Sequence, residues 1–329
     1  MRFKYFILFL FVACVACERY EEGDVELLHT ESWDVDFTLA SGNCEVYADT
    51  LYVFFGREEG ESAESPSSKL RYAPMSDLSR FREIDLPIES RVSATSIVVG
   101  GKLYAGLGFR GRAYGGSSIF TDWWVYDFDT KELVRLADLP VKTAIRPVVW
   151  YDEGYIYLAL GFSSGFSKSI YRYDVGDDEW ESYSIATELL VRADAVGAKV
   201  DNYVYLGTGF GIEMRRDWWR YDWRGDDWRR CADLPYSGRL FASSAVVGSG
   251  IYILGGRYFG GTETSGHFYE TVICYDVYND AWLTVGRMEQ AAENMIAFEY
   301  DGDLYWGLGQ CEDGSFVRKI YRRDMRIEN

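Results

Sequence analysis

The chain has 329 residues, 48% of them hydrophobic and only 6 of them Pro, which is enough apolar material for one large core and offers no Pro-rich linker to divide it. A formal charge of -18 makes nucleic acid and anionic membrane surfaces poor partners for the body of the protein. An aromatic share of 17% together with 33 Gly favours many short strands and tight turns over helices, so an all-β protein is expected.

The first segment, MRFKYFILFLFVACVAC, carries Arg2 and Lys4, an apolar run from Tyr5 to Val12 and then small residues, which is the order of a secretory signal. The run is too short to span a bilayer as a mature helix. Val15-Ala16-Cys17 resembles a bacterial lipobox, with Cys14 where Leu is usual and Phe11-Val12-Ala13-Cys14 as a competing site. The resemblance implies a lipoprotein signal peptide over 1–16, acylation of Cys17, an acidic linker over 17–31 with Glu18, Glu21, Glu22 and Asp24, and a place at an outer membrane or cell surface. Membrane contact would then be through the acyl chains alone. Cys44, Cys231, Cys274 and Cys311 form no C-x-x-C pair and read as isolated thiols, although export permits a disulfide.

From about residue 32 onward the sequence repeats. An apolar residue followed by Tyr-x-x-x-Gly recurs at Tyr52/Gly56, Tyr104/Gly108, Tyr157/Gly161, Tyr205/Gly209, Tyr252/Gly256 and Tyr305/Gly309, with intervals of 52, 53, 48, 47 and 53 residues. Each motif follows a turn such as Asp201-Asn202 or Asp301-Gly302 and reads as the second strand of a hairpin. About 20 residues later come DWWVYD, SIYRYD, DWWRYD and TVICYD, ending at Asp127, Asp174, Asp222 and Asp276. Seven residues past their last Tyr stand Leu133, Trp180, Trp228 and Trp282, and this spacing supplies a third and a fourth strand.

The Tyr-Asp and Trp spacing resembles that of the Kelch repeat family, more distantly its galactose oxidase-like and sialic acid mutarotase-like propellers. The resemblance implies a six-bladed β-propeller with four antiparallel strands per blade, spanning 32–329 as one domain. The family's Gly-Gly after the second strand survives only at Gly255-Gly256; other blades carry a single Gly, often followed by Phe. The sixth repeat stops after KIYRRD and lacks its fourth strand. Trp33 and Leu39 have the spacing of Trp228 and Leu234, so residues 32–40 are expected to close the ring. Strand tryptophans such as Trp123, Trp124, Trp218 and Trp219 are expected to pack between blades rather than to serve as sugar platforms.

In such blades the loops between strands two and three and the links between blades emerge on one face, which is the expected functional face. Arg91, Arg192 and Arg239 each stand 13 residues before a repeat Tyr, and Arg146 stands 11 before Tyr157. Blades one and six offer Asn43, Glu45, Glu293 and Asn294 instead, and the loops add Arg57, Phe109, Arg110, Phe162, Phe210, Arg257, Tyr258 and His267. These residues predict a cationic, aromatic-lined channel mouth able to grip an anionic glycan or an acidic peptide. The alternative is that the arginines at blade starts bind carboxylates or carbonyls between blades, as the family resemblance implies.

Galactose oxidase activity is disfavoured, since His29 and His267 are the only histidines, and no metal or other cofactor is expected. A metal-independent mutarotase or epimerase of an acidic sugar such as sialic acid is the enzymatic alternative, with Arg257, His267, Glu263 and Glu293 as its candidates. A structural subunit of a surface complex is the third reading.

Overall fold

In a computed structural model of the protein, the described residues are 26–63, 65–111, 118–141, 146–162, 165–185, 190–261 and 266–325. All six repeat tyrosines lie on the second strand of a four-stranded antiparallel sheet, namely Thr50–Phe54, Lys102–Gly106, Tyr155–Ala159, Tyr203–Gly207, Gly250–Leu254 and Asp303–Gly307. The first strands, Asn43–Tyr47, Thr95–Val99, Val148–Asp152, Val196–Val200, Ser243–Val247 and Ile296–Tyr300, each touch the first strands of both neighbouring sheets in an unbroken ring. The architecture is therefore a six-bladed β-propeller, and no α-helix occurs among the described residues.

Backbone geometry explains which glycines the repeat keeps. Gly56, Gly108, Gly161, Gly209, Gly256 and Gly309 are all left-handed, and a Cβ on Gly209 would lie 2.3 Å from the Ala193 carbonyl oxygen. The position before each is also left-handed, yet five blades fill it with Phe55, Leu107, Leu160, Thr208 or Leu308. These side chains are 0–1% exposed. Burying a Leu or Phe yields ~1.5–3 kcal/mol, which offsets the ~1–2 kcal/mol of left-handed strain. The first Gly of the Kelch pair is thus dispensable here and the second is not.

The ring closes through the N-terminal segment, as the truncated sixth repeat predicts, but in a shifted register. Strand Glu31–Asp34 pairs with Lys319–Arg323, placing Trp33 opposite Ile320, whereas Trp180 stands opposite Tyr173. Trp33 is therefore the counterpart of Tyr183, three residues further along. Val35, not Leu39, occupies the place of Leu139 and Leu234: its N–H reaches the Arg318 carbonyl at 3.0 Å as theirs reach Thr121 and Arg216 at 2.8 Å. The segment expected to be linker also contributes structure at its end. Leu28 is 4% exposed and donates its N–H to the Arg287 carbonyl of the fifth blade. Arg322 joins both chain ends, bonding the buried Asp303 and pairing with Glu31 at 3.1 Å.

Trp123, Trp150, Trp218 and Trp306 are fully buried, and Trp218 packs edge-on against Tyr275 and Trp282 of the next blade. Cys44, Cys231, Cys274 and Cys311 are free thiols.

Candidate functional site: the channel mouth

Three registers, two of them only two residues apart, shape the mouth. Thirteen residues before the repeat tyrosines lie Leu39, Arg91, Arg192, Arg239 and Ala292, whose carbonyls accept the N–H of the invariant Gly of the preceding blade at 2.7–3.2 Å. Eleven residues before them lie Ser41, Ser93, Arg146, Asp194, Phe241 and Asn294, all six with φ between 51 and 59°. This left-handed step turns the second set toward the axis. Immediately after the invariant glycines come Arg57, Phe109, Phe162, Phe210, Arg257 and Gln310, of which Arg57, Phe109, Phe162 and Arg257 line the mouth cavity. Blades two to four thus present Phe, and blades five, six and one present Arg, Gln and Arg.

The structure corrects the expectation for Arg91, Arg192 and Arg239, which are 0% exposed and line no part of the mouth cavity. Arg91 donates to both carboxylate oxygens of Asp122 at 2.6 and 2.8 Å and to the Leu107 carbonyl. Arg192 does the same with Asp217 and the Thr208 carbonyl. In blade five Thr271 stands in for the acid, and Arg239 bonds its carbonyl and hydroxyl while lying over the Tyr269 ring. These arginines brace the start of a blade against its own second and third strands. Burial alone would raise the Asp122 and Asp217 carboxyls, but the arginine bonds and a Trp N–H hold both below the usual carboxylate range.

The mouth itself is a cavity of about 240 Å³ lined by Arg57, Arg146, Arg257, Asp194, Glu293, Asn294, Ser41, Ser93, Phe109, Phe162, Phe241, Ala63, Val92 and Ala193. Arg146 reaches across the axis: its Nε donates to Ser93 Oγ at 2.8 Å, its guanidinium also bonds Ser41 and Asn294, and Asp194 stands 3.5 Å away. It separates the mouth from a second axial cavity of about 240 Å³ walled by the first strands and rich in Ser, Thr and Asn. Arg257 Nε lies 3.1 Å from Glu293 Oε2, with the guanidinium 5.3 Å from the Phe241 ring centroid. Arg57 bonds the neutral Gln310 side chain and lies over Phe316. Desolvation raises the Glu293 and Asp194 carboxyls above their usual range despite the nearby arginines, and it lowers Arg57.

Of the residues expected at this face, Arg57, Phe109, Arg146, Phe162, Arg257, Glu293 and Asn294 converge on the cavity. Arg110 turns away to pair with Glu89 at 2.7 Å, Phe210 meets Phe259, and Asn43 lines the axial cavity instead. Glu45 hydrogen-bonds Ser96, and burial pushes its carboxyl up to about 7. Tyr258 and the exposed His267 stack on each other on a hairpin outside the cavity lining. Glu263 and Cys17 lie outside the described residues. Sequence reasoning missed Asp194, Phe241 and Gln310, although the eleven-residue register that drew notice to Arg146 also marks Asp194 and Phe241.

The fold and this mouth define a six-bladed propeller built from Kelch-like blades, with a small amphipathic cavity at one end of its axis. Residues 238–289, the fifth blade, match the Kelch motif. The chain is similar in structure to YjhT, with a TM-score of 0.73 and 16% identity over 87% of this chain and 95% of that one, a likeness of fold. No curated protein matches the chain.

Proposed function

We propose that this protein is a binding module whose channel mouth takes an anionic carbohydrate. The observation that carries this reading is the convergence of Arg57, Arg146 and Arg257 with Phe109, Phe162 and Phe241 on one cavity of about 240 Å³. Arginines supply directed donors for a carboxylate or sulfate, and aromatic walls suit the apolar face of a sugar ring. A concave cavity of this size favours a sugar-sized group over the broad surface of a folded protein partner.

A second reading is supported by one feature. Glu293 carries a raised carboxyl beside Arg257, a pair suited to proton transfer on an acidic sugar, as in a metal-independent mutarotase or epimerase. The test is titration of the soluble form, starting at Glu18, with acidic and neutral sugars while proton NMR follows anomeric exchange. Saturable binding of acidic sugars without faster exchange supports the binding module; accelerated exchange turns the assignment to catalysis; binding of no sugar overturns both.

A further inference from the structure

Resting on the mouth-binding reading, we infer that the ligand is a monoanion and that Arg57, with Gln310, is the residue pair that selects its charge. Among the described residues, the charges facing the cavity are three arginines and two carboxylates, Asp194 and Glu293. Two of the arginines are matched by geometry. Arg146 stands 3.5 Å from Asp194, and Arg257 stands 3.1 Å from Glu293. Arg57 is different: its side-chain partner is the neutral Gln310 oxygen, and no carboxylate among the described residues lies within ion-pair distance of it.

One desolvated, unmatched guanidinium leaves the cavity with a surplus of a single positive charge. A partly buried cation without a counter-ion carries a desolvation cost, and a ligand carboxylate relieves that cost. The surplus matches one charge, so a dianion such as a phosphate monoester would bring a second negative charge against Glu293 and Asp194. Burial supports the same conclusion, since desolvation already lowers the basicity of Arg57 while Glu293, the acid whose field acts on it, is engaged by Arg257. Gln310 reaches this place because it pairs in register with Glu293, and the Arg57 backbone pairs with Ala40 of the adjoining strand. The chain therefore puts a neutral acceptor at the spot where a carboxylate would have cancelled Arg57 from within.

The experiment uses the soluble form starting at Glu18, titrated at pH 8 with D-glucuronate, D-galacturonate and N-acetylneuraminate. D-glucose and D-glucose 6-phosphate serve as the neutral and dianionic comparisons. The wild-type protein should prefer at least one acid sugar over both comparisons by tenfold or more. Arg57→Gln should erase that preference. Gln310→Glu, which supplies an internal counter-ion and keeps Arg57, should erase it too. Glu293→Gln adds one positive charge and should raise relative affinity for the phosphate. Unfolding midpoints near wild type confirm that the variants fold. Preference intact in Arg57→Gln and Gln310→Glu but lost in Arg257→Gln would overturn the charge selection while leaving the mouth as the binding site. No binding of any acid sugar to the wild-type protein would overturn the mouth reading as well.

Discussion

Two sets of arginines occupy different registers of the same repeat and do opposite work. Arg91 and Arg192 are sealed between strands with their acids locked in bidentate contact, whereas Arg57, Arg146 and Arg257 face a cavity with matched, partly matched or neutral partners. For Arg146 the difference comes from the left-handed residue eleven before each repeat tyrosine, which turns the chain from the blade seam toward the axis, and for Arg57 and Arg257 it comes from their place just after an invariant glycine. Register on the repeat decides whether an arginine contributes stability or recognition.

The largest contrast between the sets should be in stability. Arg192→Met strands the Asp217 carboxylate in a dry seam and should cost ~3–5 kcal/mol in urea unfolding, with most of it recovered when Asp217→Leu is added. Arg57→Gln should change stability by less than ~1 kcal/mol, since Arg57 is partly exposed and holds no buried acid. Equal losses from both variants would dissolve the distinction.

The pH responses of the two sets should run in opposite directions. Glu293 and Asp194 have raised carboxyls, so they compensate the mouth arginines above their folded pKa values and release that charge as pH falls through them. Affinity for an acid sugar that stays ionised should therefore rise on mild acidification, and Glu293→Gln should flatten the rise in calorimetric titrations. Asp122 and Asp217 have depressed carboxyls. The stability they contribute is present above the ordinary carboxylate pKa and is lost only in stronger acid, as pH falls through their lower folded values.

Glu45 gives a smaller test away from both sets. Its carboxyl, raised from 4.5 to about 7, makes folding less favourable as pH rises between those values, and Glu45→Gln should remove that slope in unfolding measured from pH 4 to pH 8. The smallest expected effect is on the aromatic half of the mouth. Phe162→Ala should weaken acidic and neutral sugars alike by ~0.5–1.5 kcal/mol, a several-fold change in Kd. A selective loss of acidic sugars would place anion recognition on the wrong half.

Much of this molecule was legible from residue spacing. The tyrosine period, the invariant glycine and the truncated last repeat announced six blades and an N-terminal closing strand, because each reflects a local demand of turn geometry or strand pairing. The closing register escaped, since Trp33 meets no local rule and is positioned by pairing with Lys319–Arg323 nearly three hundred residues away. At the site, the sequence by itself determined that one face would carry arginine and phenylalanine, since the residue after each glycine must emerge at the rim. Only the tertiary structure decided which arginines reach the cavity and which are left without an acid. Arg91 and Arg146 look alike in one dimension, and what separates them is whether Asp122 on the same blade, or Ser41, Ser93, Asp194 and Asn294 from four other blades, lies within a hydrogen bond's or ion pair's reach.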